Sequence, residues 1–433
     1  MTIGGGAFVP PTPTPRPEPL PASVPAPTPG SAPPPAPAPA SAPGPVPEPA
    51  PTRRAAARAL AGTAVGAAAG VALTVGGCGR PAPEPSPARP SPPPAPTADG
   101  RRQRGVADPQ PRHVLLLAYD LDPRPPGAAA RDRLAAVLRQ WRTLLAGSGV
   151  NTGPHLTATI AFGTSLPGRV GAARPDLLRE PPAFPGDRLR PEAGGGDLLV
   201  QICGPGTGAC TRVAALLDRA AGPVLRARWR QAGFLPATPA GETPRNLLGF
   251  KDGTANPGPA GAARWVWIGS GPHTGGTYLV VRRVRLRTAA FGDLPYGRQE
   301  RIIGRRRADG APLHGGPEHT DVDLFAKTPE GRYVLPADAH ARLAHSRFDG
   351  GARMLRRGYS YDNGGADRGL LFVAFMNDPG LFTRVQRRLA AADALNPFVE
   401  HVGSGVYLVP PAPEAGGTGE GPLPRDAEGG LLG

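Results

Sequence analysis

The stretch Arg245-Asn246-Leu247-Leu248-Gly249-Phe250-Lys251-Asp252-Gly253-Thr254-Ala255-Asn256-Pro257 concentrates strict backbone demands around one carboxylate. Gly249 and Gly253 permit conformations closed to other residues, Asp252-Gly253 is a turn pair, and Asn256-Pro257 enforces an extended exit. A carboxylate fixed in this way can take a proton from a reacting group and hand it back. It can equally cap its own turn, and the stretch alone leaves both readings open. Two other sets of residues could do chemistry. One is the eight histidines, His113, His155, His273, His314, His319, His340, His345 and His401, any of which could ligate a metal. The other is the pair Arg356-Arg357, which on a strand must face opposite sides, so that if one enters a pocket the other turns away.

Gly249-Phe250-Lys251-Asp252-Gly253-Thr254-Ala255-Asn256-Pro257 resembles the Gly-x-x-Asp-Gly signature of the DyP-type (dye-decolorizing) haem peroxidases, whose Asp lies over the haem on the peroxide side. Asp338-Ala339-His340-Ala341-Arg342 resembles the family segment in which Ala-His followed by Arg carries the iron-binding imidazole, so the resemblance makes His340 the metal ligand. Met354-Leu355-Arg356-Arg357-Gly358-Tyr359 resembles the family strand whose first Arg points into the distal pocket, which nominates Arg356. All three fall in the family's order. The resemblance implies one haem b per chain, held through His340 and the loop residues Gly249, Phe250, Lys251, Gly253 and Thr254. It makes Asp252 and Arg356 catalytic, with hydrogen peroxide and a dye, phenol or other small organic reductant as partners. Two positions depart from the pattern: His345 stands where relatives often have Asn, and Gly358 where many place an Asn that would make a second peroxide contact. Exported relatives with a proposed deferrochelatase role would use the same pocket. A surface lipoprotein that only binds haem would need His340 alone.

Gly 61 and Pro 61 are far above the usual share, and much of that excess lies outside any core. The net charge of +15 comes almost wholly from arginine, since Lys251 and Lys327 are the only lysines among 49 basic residues. These arginines are scattered through an Ala/Pro/Gly-rich chain without interleaved aromatics, which argues against nucleic acid as a partner. Neither a phosphate loop nor a Gly-x-Ser-x-Gly elbow is present. His314, His319, Asp321 and Asp323 form the most metal-like local cluster, but their spacing is not that of a helix-borne zinc site. Trp265, Trp267 and Tyr359 could pass electrons from a donor or simply fill a core.

Residues 1–51 read as a disordered Pro/Ala-rich leader. Thr52-Arg53-Arg54, Arg58 and the uncharged run Ala59 to Gly77 suit a twin-arginine export signal, and Val75-Gly76-Gly77-Cys78 resembles a lipobox that would lipidate Cys78. The expected location is extracytoplasmic, with membrane contact only through that lipid. Residues 79–111 read as a Pro-rich linker and 411–433 as a disordered tail. Between them, 112–240 carries strands His113 to Leu121, Leu156 to Phe162, Asp197 to Cys203 and Val224 to Leu235, with helices Ala128 to Ala146 and Cys210 to Ala221. Residues 241–410 repeat the order: strand Gly276 to Leu286, helix Leu294 to Ile303, strands Met354 to Tyr361 and Leu370 to Met376, helix Pro379 to Ala392, strand Phe398 to Val409. The expected fold is therefore α+β, two ferredoxin-like domains of β-α-β-β-α-β order, each an antiparallel sheet with helices on one face. An oligomer is left open, and so is a choice at Cys203 and Cys210 between a disulfide and buried thiols.

Overall fold

A computed structural model of the chain describes residues 102–152, 155–239 and 241–412. The export and lipid readings at residues 52–78, and the leader and most of the tail, lie outside the described residues. The elements in chain order are β1 (His113–Leu121), α1 (Ala128–Gly147), β2 (Thr157–Gly163), α2 (Leu166–Val170), β3 (Leu198–Gly204), α3 (Thr207–Ala221) and β4 (Leu225–Phe234). They continue with α4 (Pro259–Trp265), β5 (Thr277–Leu286), α5 (Thr288–Gly292), α6 (Tyr296–Ile303), α7 (His340–Leu343), β6 (Leu355–Arg356), β7 (Tyr359–Asp362), β8 (Arg368–Met376), α8 (Gly380–Ala392) and β9 (Val399–Val409).

The first half has the ferredoxin-like strand order β4-β1-β3-β2, all antiparallel. The second repeats it, with β5 between β9 and β8 and with β6 and β7 on the far side of β8. Neither sheet stands alone. β2 pairs with β9 through Phe162↔Leu408 and Gly163↔Tyr407, and β4 pairs with β7 through Phe234↔Ser360, so the ladder returns on itself. Alternation then divides the side chains. Val114, Leu116, Ala118, Leu279, Val281, Val373, Phe375 and Tyr407 fill the interior, where both halves meet. The opposite faces carry the helices. On α1, Leu134, Val137, Leu138, Trp141 and Leu145 recur at helical spacing and bury against the outer face of the first half, and Trp141 Nε1 donates to the Leu217 carbonyl of α3 (2.9 Å).

Two expectations change. The strand read from Met354 to Tyr361 is broken at Arg357-Gly358 into β6 and β7, because Arg357 is turned inward to the Asp108 and Pro109 carbonyls. Residues 102–111, read as the end of the linker, are packed structure: Val106 is fully buried, and Gln103 binds both the amide and the carbonyl of Ile160. The choice left open at Cys203 and Cys210 closes on free buried thiols, Cys203 inside the sheet ring and Cys210 on α3 outside it.

Because both halves share the interior, Phe375→Ala should cost about 3–5 kcal/mol and leave unfolding as one transition. Chemical denaturation followed by fluorescence and by circular dichroism checks this, and two resolved transitions would show that the halves unfold separately.

Candidate active site

The Asp252 loop is held by its own neighbours. Asn246 Oδ1 accepts from the Leu248 and Phe250 amides (3.0 and 3.3 Å), and the Asp252 amide donates to the Pro244 carbonyl (3.1 Å). Arg245 donates to the Gly249, Arg307 and Ala308 carbonyls. Gly249 and Gly253 adopt φ of 85° and 99°, and a Cβ on Gly249 would lie 2.7 Å from the Arg307 guanidinium, so both are required as glycine. Asn256 then fastens the loop to β6. Its Nδ2 donates to the Arg356 carbonyl (2.7 Å) and its Oδ1 accepts from the Arg356 amide (3.0 Å). This two-bond clasp brings Arg356 Nη2 within 3.9 Å of Asp252 Oδ1.

Both side chains line a cavity of about 300 Å³. It lies between the outer face of the second half's sheet, which contributes Arg282, Val284, Leu286, Leu370 and Phe372, and the helices α7 and α8. His340 enters from the first turn of α7. Its Nδ1 lies 2.6 Å from Asp393 Oδ2, and that carboxylate is only 4% exposed. Burial works against a charged imidazole, and the Asp393 carboxylate more than reverses this, so the His340 pKa is raised. In the neutral ring, with its one proton on Nδ1 facing the carboxylate, Nε2 is a lone-pair donor. Asp393 is positioned at the end of α8, where its Oδ1 accepts from the Leu395 amide (2.8 Å), and the Ala394 amide donates to the Asp338 carbonyl (2.9 Å), tying α8 to the start of α7. A negative charge at a helix C-terminus runs against the helix dipole, and that is the signal in the sequence that could have marked Asp393.

The site residues expected from sequence divide as follows. Asp252, Phe250, Lys251, Gly253, Thr254, His340 and Arg356 all line the cavity, whereas Gly249 does not and acts through the turn. Lys251 Nζ is occupied by Glu318 (2.6 Å). Arg357 faces away from Arg356, as strand alternation requires. Trp267 and Tyr359 are buried in the interior core. His345 stands at the cavity rim, its Nε2 3.1 Å from Asp321, which Arg353 also approaches (3.3 Å). Deeper in, burial and the neighbouring Arg282 guanidinium push the His401 pKa down to about 3, so that imidazole is neutral.

Two family models match the chain: Dyp-type peroxidase, N-terminal, over residues 103–235, and Dyp-type peroxidase, C-terminal, over 243–414. The chain belongs to the DyP-type peroxidase family. It is 38% identical over 355 residues to a dye-decolorizing peroxidase of Thermobifida fusca (72% of this chain, 81% of that one). It is 33% identical over 356 residues to a deferrochelatase of Escherichia coli K12 (72% and 83%). Among solved structures it is similar to a DyP-type peroxidase from Streptomyces coelicolor (TM-score 0.68, 37% identity, 74% of this chain and 94% of that one). It is likewise similar to the oxyferrous complex of DtpA from Streptomyces lividans (TM-score 0.69, 37% identity, 78% and 97%). As a DyP-type peroxidase the protein uses haem and acts on hydrogen peroxide. The cavity suits that group: it is largely apolar, has an imidazole nitrogen on one wall, and carries Arg353 to meet a carboxylate of a porphyrin.

Asp393→Asn should weaken haem retention about 10-fold to 100-fold, since partners that orient a ligating His carry effects of that size. The rate of haem transfer to an excess of acceptor apoprotein measures it, and an unchanged rate would remove Asp393 from the haem site.

Proposed function

We propose that His340 ligates the haem iron, that Asp252 carries the proton of the peroxidase reaction, and that Arg356 stabilises its developing negative charge. What carries the reading is the placement of Asp252 and Arg356, 3.9 Å apart, on the wall of the cavity that the Asp393-supported His340 enters. When bound, haem supplies the redox-active iron and stores oxidising equivalents between electron transfers. The rest of the work belongs to the chain. Asp252 accepts a proton from the oxygen of hydrogen peroxide that stays in the site and returns it to the oxygen that leaves, which departs as water; two protons from solvent and two electrons from the donors then complete the second water. Arg356 holds its cation beside that charge separation in a cavity with apolar walls. Asp393 keeps His340 in one tautomer and one orientation. Small organic donors return the electrons one at a time.

Relatives named deferrochelatase, 33–34% identical over comparable lengths, support a second reading in which the same cavity releases iron from haem. A merely haem-carrying protein has no use for the Asp252–Arg356 pair. For location, the support is the arginine pair at Arg53-Arg54, the weakly apolar run after it and the Val-Gly-Gly-Cys ending at Cys78. We read these as export by the twin-arginine route, with lipidation of Cys78 as the means of retention at the membrane.

Asp252→Asn and Arg356→Leu should each slow the reaction with peroxide while leaving haem content near normal. Loss of an acid/base group costs about 10²-fold to 10⁴-fold, and loss of an electrostatic donor about 10²-fold to 10³-fold. Stopped-flow mixing with peroxide reads this step before any donor is consumed, and parent rates in both variants would leave the haem-carrier reading standing. Iron release with an intact porphyrin, measured on the same protein, would favour the deferrochelatase reading. Changing Arg53 and Arg54 to Lys should trap precursor inside the cell, and Cys78→Ser should free the exported protein from the membrane. Fractionation followed by immunoblotting reads both.

A further inference from the structure

Behind Asp252, on the side away from His340, lies a second cavity of about 30 Å³. Asp252, Gly253, Arg356, Gly358, Leu370 and Asn246 line both cavities, so the distal carboxylate stands between them. The small cavity exists where Gly358 has no side chain. A Cβ there would lie 3.8 Å from Asp252 Oδ2 and 3.2 Å from the Leu370 Cδ1 methyl. Its remaining wall includes Gln110 and Ser360. Gln110 Nε2 donates to the Gly358 carbonyl (2.9 Å), which leaves its Oε1 as an acceptor. Ser360 is 4% exposed and lines the same small cavity. A cavity of this size, with Asp252, Gln110 and Ser360 on its wall, has room for one or two water molecules and polar groups to hold them.

We propose that this cavity holds ordered water bound to Asp252, positioned by Ser360 and Gln110, and that Asp252 receives and sheds its proton through it. The proposal rests on the reading of Asp252 as the proton carrier. Water does here what a longer side chain at position 358 would do in a filled site: it gives Asp252 Oδ2 a hydrogen-bond donor. Unlike a side chain, water can also accept the proton and pass it on. Ser360 and Gln110 do not touch the reacting atoms and act only through the water.

The charged groups that face Asp252 set the background. Arg356 approaches from β6, Arg245 lines the small cavity from the same loop, Lys251 is the chain neighbour but is paired with Glu318, and His340 stands across the large cavity. None of these changes in the variants below. Removing the water takes one hydrogen bond from the ionised carboxylate and so disfavours the ionised form. The ionised fraction is then lost at a higher pH, and the acid limb of any step that needs Asp252 as base moves up by about half to one pH unit.

The test uses the ferric haem-loaded protein and two readouts. A crystal structure near atomic resolution should place water within hydrogen-bond distance of Asp252 Oδ2 and of Ser360 Oγ or Gln110 Oε1, and Gly358→Ala should displace it. Cyanide association, which requires a base to take the proton of hydrogen cyanide, should show its acid limb moved upward in Gly358→Ala and in Ser360→Ala, and restored in Ser360→Thr. Ser360→Ala guards against a Gly358→Ala protein that fails to fold. A dry cavity in the parent overturns the proposal, and so do limbs that stay in place in both variants while Asp252→Asn abolishes the limb. In that case Asp252 keeps its role. If Asp252→Asn itself leaves the limb untouched, the underlying proton-carrier reading fails and the proposal falls with it.

Discussion

The closure of the two half-sheets on each other is the constraint from which the rest of the molecule follows. Once β2 meets β9 and β4 meets β7, the ring has no long open edge, and every strand has one face inside and one outside. Among the described residues the inside is filled by packed side chains of both halves. A large ligand must therefore lie outside, under helices. Of the two outer faces, the first half's is covered by α1 and α3 with Leu134, Trp141 and Leu217 packed flush. On the second half, α8 packs on the sheet through Leu381 and Phe382 at its start, and the cavity occupies the gap between the sheet, the rest of α8 and the short α7.

The sequence made the local parts of this legible and the long-range parts only in outline. Alternation assigned Arg356 and Arg357 to opposite faces from two adjacent letters, because strand geometry leaves no other option. The Gly249 and Gly253 conformations were readable for the same reason, a local steric rule acting on a local segment. Ring closure was not readable, since it rests on two paired residues at one seam and one at the other, too few to leave a pattern. Asp393 was missed because it lies 53 residues from His340, and Asn256 because its sequence context speaks only of a turn. The Pro-rich composition before residue 112 hid the packing of 102–111, which depends on Gln103 and Val106 rather than on any periodicity.

The charged groups of the site differ sharply in how tightly they are paired. Asp349 is enclosed and bound by Arg388 and Arg384, and Lys251 is joined to Glu318 at 2.6 Å, so this trio and this pair fix the walls. Arg305 spends its guanidinium on the Gly310, Glu318 and Thr320 carbonyls and thereby shapes the long irregular segment between α6 and α7. Such groups are committed and cannot answer to a substrate.

Asp252 and Arg356 are uncommitted by comparison. At 3.9 Å, with side chains 37% and 31% exposed, they form a loose pair of the kind that contributes little to stability. Their geometry is set instead through the backbone, by the Asn256 clasp on Arg356 and by the turn bonds around Asp252. This division of labour matters chemically. In the roles proposed for them, a tight Asp252–Arg356 bond would direct the guanidinium at the carboxylate rather than at the oxygen where charge develops. Positioning by the main chain leaves both side chains free to turn to the reacting molecule, at a separation small enough for each to feel the other's change of charge.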